Sequence, residues 1–159
     1  MTVSSQKDGV KVVAQNKKAY HDYYVLEKYE AGIELSGTEV KSVRLSNVNL
    51  KDAYCTVKDG EIFARGMHIS PYEKGNIFNK DPVRPKKLLM HKREIMKLFG
   101  QIKQDGLAVI PLSVYMRGPL VKVELGLCKG KKLHDKRESE SKKDAEREMD
   151  RSFKERNNN

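Results

Sequence analysis

Ala53-Tyr-Cys-Thr-Val-Lys-Asp-Gly-Glu-Ile-Phe-Ala64 decides the fold class. Two strand-like runs, 53–57 and 61–64, flank Lys58-Asp59-Gly60, and Asp-Gly tolerates the positive φ that a tight hairpin turn demands. An antiparallel pair is expected here. Toward the amino terminus, Tyr23 to Leu35 is rich in Tyr, Val, Ile and Leu and is interrupted by Gly32, which predicts a long strand with a bulge or bend. Ser36-Gly37-Thr38 then caps a short helix whose Val40, Val43 and Arg44 carry helical spacing, leaving Glu39, Lys41 and Ser42 for solvent or a ligand. Residues 1–15 show no long periodic pattern and read as a mobile lead.

Toward the carboxyl terminus, residues 68–85 hold Pro71, Pro82 and Pro85 with Gly75, Asn76 and Asn79, the composition of an irregular surface loop. Leu88 to Gln104 is predicted as helix, with Leu88, Ile95, Leu98, Phe99 and Ile102 on one face and Asp105-Gly106 as its stop. Leu107–Tyr115 and Leu120–Leu127 make a second apolar pair joined through Arg117-Gly118-Pro119. In the latter run Val121, Val123 and Leu125 alternate with Lys122 and Glu124, so one face is wet. Strand runs without regular helical crossovers imply a mainly β fold: a small antiparallel barrel with two or three flanking helices.

The chain has 159 residues, with 32 Lys+Arg against 22 Asp+Glu, a formal charge of +10. One domain is expected: a body over residues 16–128 large enough for a single core, and a tail over 129–159 too polar to join it. The charge favours a polyanionic partner, nucleic acid or an anionic membrane. The longest mostly apolar stretch, Leu107 to Met116, is broken by Pro111 and is far short of a span, and Lys7, Asp8 and Lys11 interrupt any signal-peptide core. A soluble cytoplasmic protein that does not engage membranes is expected. Cys55 and Cys128 lie in apolar runs with no second cysteine at metal-ligand spacing and read as reduced core residues.

Two basic segments carry the binding signal. Arg84, Lys86, Lys87, Lys92 and Arg93 place five cations in ten residues with no carboxylate among them. At a helix amino terminus they oppose the macrodipole, so phosphate contact is the reading that accounts for them. His91 sits among them, with a ring able to stack on a base. The second segment, Lys129-Gly-Lys-Lys-Leu-His-Asp-Lys-Arg137, opens the tail with five cations and one carboxylate. Farther on, Ala145, Met149 and Phe153 would share one stripe of a helix. Tyr54, Phe63, Tyr72, Phe78 and Tyr115 are further stacking candidates, although core packing is the default for most aromatics. His21-Asp22 and His134-Asp135 are adjacent pairs whose side chains diverge on a strand, no phosphate-binding glycine loop occurs, and the four histidines lack ligand spacing. No enzyme, cofactor or metal is expected.

Tyr29-Glu-Ala-Gly-Ile33, Gly37-Thr-Glu-Val-Lys-Ser42, Asp52-Ala-Tyr54, His68-Ile-Ser-Pro-Tyr72, Pro82 through Ile95 and Gly130 through Arg137 together resemble the small protein B family. These are the SsrA-binding proteins that accompany transfer-messenger RNA (tmRNA) in trans-translation. The resemblance runs in order from about Asn16 to Arg137. It implies an oligonucleotide-binding-like barrel that grips the tRNA-like part of tmRNA and delivers it, charged with alanine, to the empty A site of a stalled ribosome. It also implies that the tail enters the vacant mRNA channel. Carried over, the RNA face comprises His21; Glu39, Lys41, Ser42 and Arg44; and Arg84, Lys86, Lys87, Leu89, His91, Lys92 and Arg93. The ribosome-binding tail comprises Lys129, Gly130, Lys131, Lys132, His134, Asp135, Lys136 and Arg137, with His134 placed to stack on a decoding-centre base. The expected partners are tmRNA and the ribosome, and the free protein is expected to be a monomer. The competing reading of the same charge is a ribosomal or rRNA-assembly protein.

Overall fold

The computed structural model describes residues 9–132 and Arg137; His134, Asp135 and Lys136, and with them most of the expected tail, lie outside the described residues. In chain order the elements are β1 (Val10–Gln15), α1 (Lys17–Asp22), β2 (Tyr23–Ile33), α2 (Gly37–Arg44), β3 (Val48–Asn49), β4 (Tyr54–Lys58) and β5 (Glu61–Arg65). There follow β6 (His68–Ile69), a 3₁₀ turn at Asn76–Phe78, β7 (Lys86–Leu89), α3 (Lys92–Asp105), β8 (Ala108–Arg117) and β9 (Leu120–Gly130).

The Asp-Gly hairpin forms as expected. Asp59 at φ 54° and Gly60 at φ 76° both take left-handed backbone, and β4 and β5 pair from Lys58 with Glu61 to Tyr54 with Arg65. The hairpin forms one edge of a seven-stranded sheet in the order β1-β8-β9-β2-β7-β5-β4, with every pair antiparallel, and β3 pairs with β6 in a separate ribbon. The fold is mainly β. The sheet curls until β4 meets β8, yet among the described residues no ladder joins β1 to β4, so the barrel is open. Both edges of β8 are already taken by β1 and β9, and Leu50, just beyond β3, sits beside β1, where its carbonyl accepts from Asn16 Nδ2 at 2.9 Å.

Several boundaries differ from the sequence expectation. Residues 10–15, within the expected mobile lead, form β1, because Val10 through Gln15 find the free edge of β8 as a partner from Arg117 to Ser113. The irregularity in β2 falls between Val25 and Glu27 and not at Gly32. Gly32 instead pairs with both Lys122 of β9 and Leu89 of β7, and an added Cβ there would meet Leu89 Cβ at 3.3 Å. The helix expected from Leu88 begins at Lys92, since Lys86 to Leu89 are drawn into a ladder between β2 and β5. Lys129 and Gly130, assigned to the tail, complete β9 opposite Tyr24 and Tyr23.

The core gathers Val43, Leu50, Ile62, Met67, Leu88, Leu98, Val123, Leu125 and Leu127, all nearly inaccessible. At about 2 kcal/mol for each large aliphatic side chain, this cluster is the main stabilising term. α3 closes one end through Ile95 and Leu98, and Gly106 ends it in left-handed backbone at φ 63°. α1 covers the opposite face of β8 and β9, where Ala19, Ile110, Leu112 and Cys128 form a smaller cluster. That second cluster explains why β9 is buried on both faces from Leu125 to Cys128. Asn16 fixes α1 in place: its Oδ1 accepts from the Ala19 N–H, and its Nδ2 donates to the carbonyls of Leu50 and Pro111. Cys55 and Cys128 are free and buried, and burial pushes the Cys128 thiol up to about 11.

Candidate nucleic-acid interface

The period of two along β7 decides what its lysines do. Lys86 and Leu88 point inward, while Lys87 and Leu89 point outward. Lys86 is fully buried, and its ammonium donates to the carbonyls of Met67 at 2.8 Å, Pro82 at 3.1 Å and Arg84 at 3.0 Å. All three of its donors are thereby used. Burial, with the Arg84 charge nearby, pulls the amine down to about 8 against the opposing pull of Glu39 and Asp81. Lys86 is therefore an internal tie between β7 and the 68–85 loop and does not reach a phosphate, a correction to the expected RNA face.

The inner face of α2 is likewise turned away from solvent. Ser36 and Glu39 form a reciprocal capping box, and Glu39, Ser42 and Val43 occupy the buried side at helical spacing. Glu39 and Ser42, expected for solvent or ligand, thus belong to the interior. Across from them Arg84 forks onto Glu39: Nε donates to Oε2 at 2.9 Å and NH2 to Oε1. Burial raises the Glu39 carboxyl, but hydrogen bonds from Arg84 and the Ser36 N–H, with the Arg84 charge, outweigh it and hold the group below its ordinary range. Two α2 cations remain outside: Lys41, with its ammonium 5.3 Å from the Tyr72 ring, and Arg44.

The remaining outward residues converge on one cleft of about 640 Å³ between the β4–β5 turn, β7 and the start of α3. Lys87, Leu89, His91 and Lys92 line it, together with Glu30, Gly32 and Lys122. His91 is the cap residue of α3 but makes no side-chain capping bond, which leaves its ring outside. Lys87 pairs with Glu61 at 3.0 Å, and Arg93 is exposed beside His91 on an adjoining groove. Of the five cations read as one patch, Arg84 and Lys86 are committed to the protein and Lys87 is shared with Glu61. Only Lys92 and Arg93 sit in the first turn of α3, with Glu94 as a local counterweight.

Sequence reasoning missed the acidic side of this cleft. Glu30 accepts from Tyr115 Oη and lies 3.1 Å from Arg117, and Asp59, Glu61 and Glu94 also line the walls. Glu30 and Gly32 lie in Tyr29-Glu-Ala-Gly-Ile33, but nothing in their spacing ties them to Lys92. Lysines interleaved with carboxylates offer donors for phosphates and acceptors for base amino groups and 2′-hydroxyls, as recognition of a folded RNA requires.

His21 lies elsewhere. It lies in the last turn of α1 with Nδ1 2.9 Å from Asp22 Oδ1, close to the end of β9, where the Lys131 N–H donates to the Asp22 carbonyl at 2.9 Å. Lys129, Gly130, Lys132 and Arg137 are exposed. Among the described residues no group of His, Cys, Asp or Glu has the arrangement of a metal site, and no helix is long and apolar enough to cross a membrane.

The family model described as "SmpB protein" matches residues 13–155. The chain belongs to the SmpB family. Named SsrA-binding protein, a relative from Carboxydothermus hydrogenoformans is 58% identical over 143 residues, covering 90% of this chain and 96% of its own length. One from Acetivibrio thermocellus, of the same name, is 60% identical over 149 residues, covering 94% and 97%. Among solved structures, a chain described as "tmRNA-SmpB: a journey to the center of the bacterial ribosome" superposes with a TM-score of 0.65 at 46% identity, covering 77% of this chain and 85% of the other. In this SmpB chain, then, the open barrel presents a mixed-charge cleft beside β7 and α3 and a basic stretch, 129–132, at and just beyond the end of β9.

Proposed function

We propose that this protein is a tmRNA-binding adaptor of trans-translation, which brings alanyl-tmRNA to ribosomes stalled on messages without a stop codon and catalyses no chemistry itself. The observation that carries the reading is membership of the SmpB family across residues 13–155, with relatives named for binding SsrA RNA. The cleft bearing Lys87, Leu89, His91 and Lys92 supports it, since lysines and carboxylates together can address both the backbone and the base edges of a structured RNA. In this reading the body's RNA face consists of Lys41, Arg44, Lys87, Leu89, His91, Lys92 and Arg93, while Glu39, Ser42, Arg84 and Lys86 hold that face in shape. The segment from Lys129 to Arg137 serves the ribosome, in the mRNA channel and decoding centre, and the protein works in the cytoplasm.

An equilibrium competition at fixed salt tests this. Labelled tmRNA bound to the full chain should resist an excess of ribosomal RNA fragments, because general phosphate attraction weakens alike for both. Equal displacement by the two RNAs would instead assign the chain to ribosomal RNA binding.

A further inference from the structure

The structure carries a second RNA-compatible surface away from the cleft, at the root of the tail. Tyr20 is 46% exposed, Tyr24 42% and Leu26 52%, and the three line one groove of about 540 Å³ with Lys28 and Lys131. Single exposed apolar side chains are ordinary, but three contiguous ones mark a contact surface. Each ring carries its own cation: the Lys28 ammonium lies 5.8 Å from the Tyr20 centroid, and that of Lys131 lies 5.1 Å from Tyr24. Lys131 is also anchored, its Nζ donating to the Tyr20 carbonyl at 3.3 Å and its backbone N–H to Asp22. Lys129, exposed, is the cross-strand partner of Tyr24 and so shares its face.

We propose that Tyr20, Tyr24 and Leu26 form a stacking platform for unpaired RNA bases, with Lys28, Lys129 and Lys131 taking the phosphates beside them. The proposal rests on the RNA-binding reading above. Aromatic faces interleaved with cations are the pattern by which proteins hold single strands without regard to sequence. A base displaces an exposed ammonium from a tyrosine face because base–aromatic stacking is the stronger contact, and the displaced lysine stays within reach of the backbone. Charge complementarity selects a polyanion over a protein partner here. Glu27 is the one carboxylate among the groove's lining residues, and it accepts from Tyr29 Oη and pairs with Lys97 at 3.8 Å. Lys28 lies 3.7 Å from Glu124, and Lys129 is exposed on the face it shares with Tyr24.

The test uses the full chain and an unstructured RNA decamer carrying 2-aminopurine, whose fluorescence is quenched on stacking. The unmodified chain should quench it, Tyr20→Ala/Tyr24→Ala should bind at least tenfold more weakly and lose the quenching, and Tyr20→Phe/Tyr24→Phe should keep both. Unchanged thermal unfolding of the variants shows that the barrel is intact. If the alanine pair binds and quenches like the parent, the platform is overturned, and the patch belongs to residues 133–159 or to a protein partner. Selective tmRNA binding in that same case leaves the adaptor reading standing, whereas loss of tmRNA selectivity with quenching retained overturns the adaptor reading alone.

Discussion

Arg84 and Glu39 meet across 45 residues of chain, the guanidinium forking onto both carboxylate oxygens while Glu39 also caps its own helix. The pair locks α2 against the strand that leads into the cleft. Replacing Arg84 by Met should cost about 2 kcal/mol, because it strands a carboxylate whose side chain is only 6% exposed. Urea unfolding measures this, and Glu39→Gln in the same background should recover part of the loss.

Acid should weaken the same lock. Glu39 titrates lower in the folded than in the unfolded chain, so its contribution is complete above the unfolded carboxyl pKa, about 4.3, and is lost as pH falls through the folded value. The melting temperature of the parent should therefore drop more steeply below about pH 4 than that of Glu39→Gln.

Lys86 gives the opposite end of the pH scale. Its amine sits at about 8 when folded against 10.5 when unfolded, so between those values the unfolded chain holds more protons and stability from this group rises with pH. Lys86→Met should remove that rise. It should also destabilise the protein by about 3 kcal/mol at pH 7, since the carbonyls of Met67, Pro82 and Arg84 lose their shared donor. Charge reversal at Lys86 would report on folding and not on RNA affinity.

Lys92 and Arg93 are exposed, so reversing them tests binding with little effect on the fold. Lys92→Glu/Arg93→Glu should weaken tmRNA binding at least tenfold and lower the slope of log K against log salt by about two, one for each lost phosphate contact. Calorimetry or filter binding across a salt series reads both quantities. An unchanged slope would remove this end of the cleft from the RNA face.

The tail should be cut after Lys132 rather than inside β9, because Gly130 pairs with Tyr23 and Lys131 is tied to Asp22. Such a truncation should leave tmRNA affinity within about twofold and abolish tagging on stalled ribosomes in a reconstituted translation assay. Tagging that persists would show that residues beyond 132 are dispensable for rescue.

The legibility of the chain followed the range of the forces involved. The Asp59-Gly60 turn and the alternation of Val121, Val123 and Leu125 were readable because backbone preference and two-residue periodicity act between near neighbours. The stop of α3 at Gly106 was readable for the same reason. β1 was not, since Val10 to Gln15 become a strand only by pairing with residues 113–117. Around the cleft, the exposure of Lys92 and Arg93 agrees with a surface basic patch read from local charge, and His91 was noted for its ring among them. Glu30 and Lys122 needed the sheet that brings them beside β7.

By itself, the sequence determined the mainly β class and the net positive charge, both set by composition and local order, and the family, carried by the resemblance of its motifs. Tertiary structure alone decided which of the clustered cations reach the surface. Lys86 and Lys87 are chemically identical neighbours, yet strand alternation drives one into a cage of carbonyls and leaves the other at the cleft, and that choice depends on β2 and β5 pairing along both edges of β7.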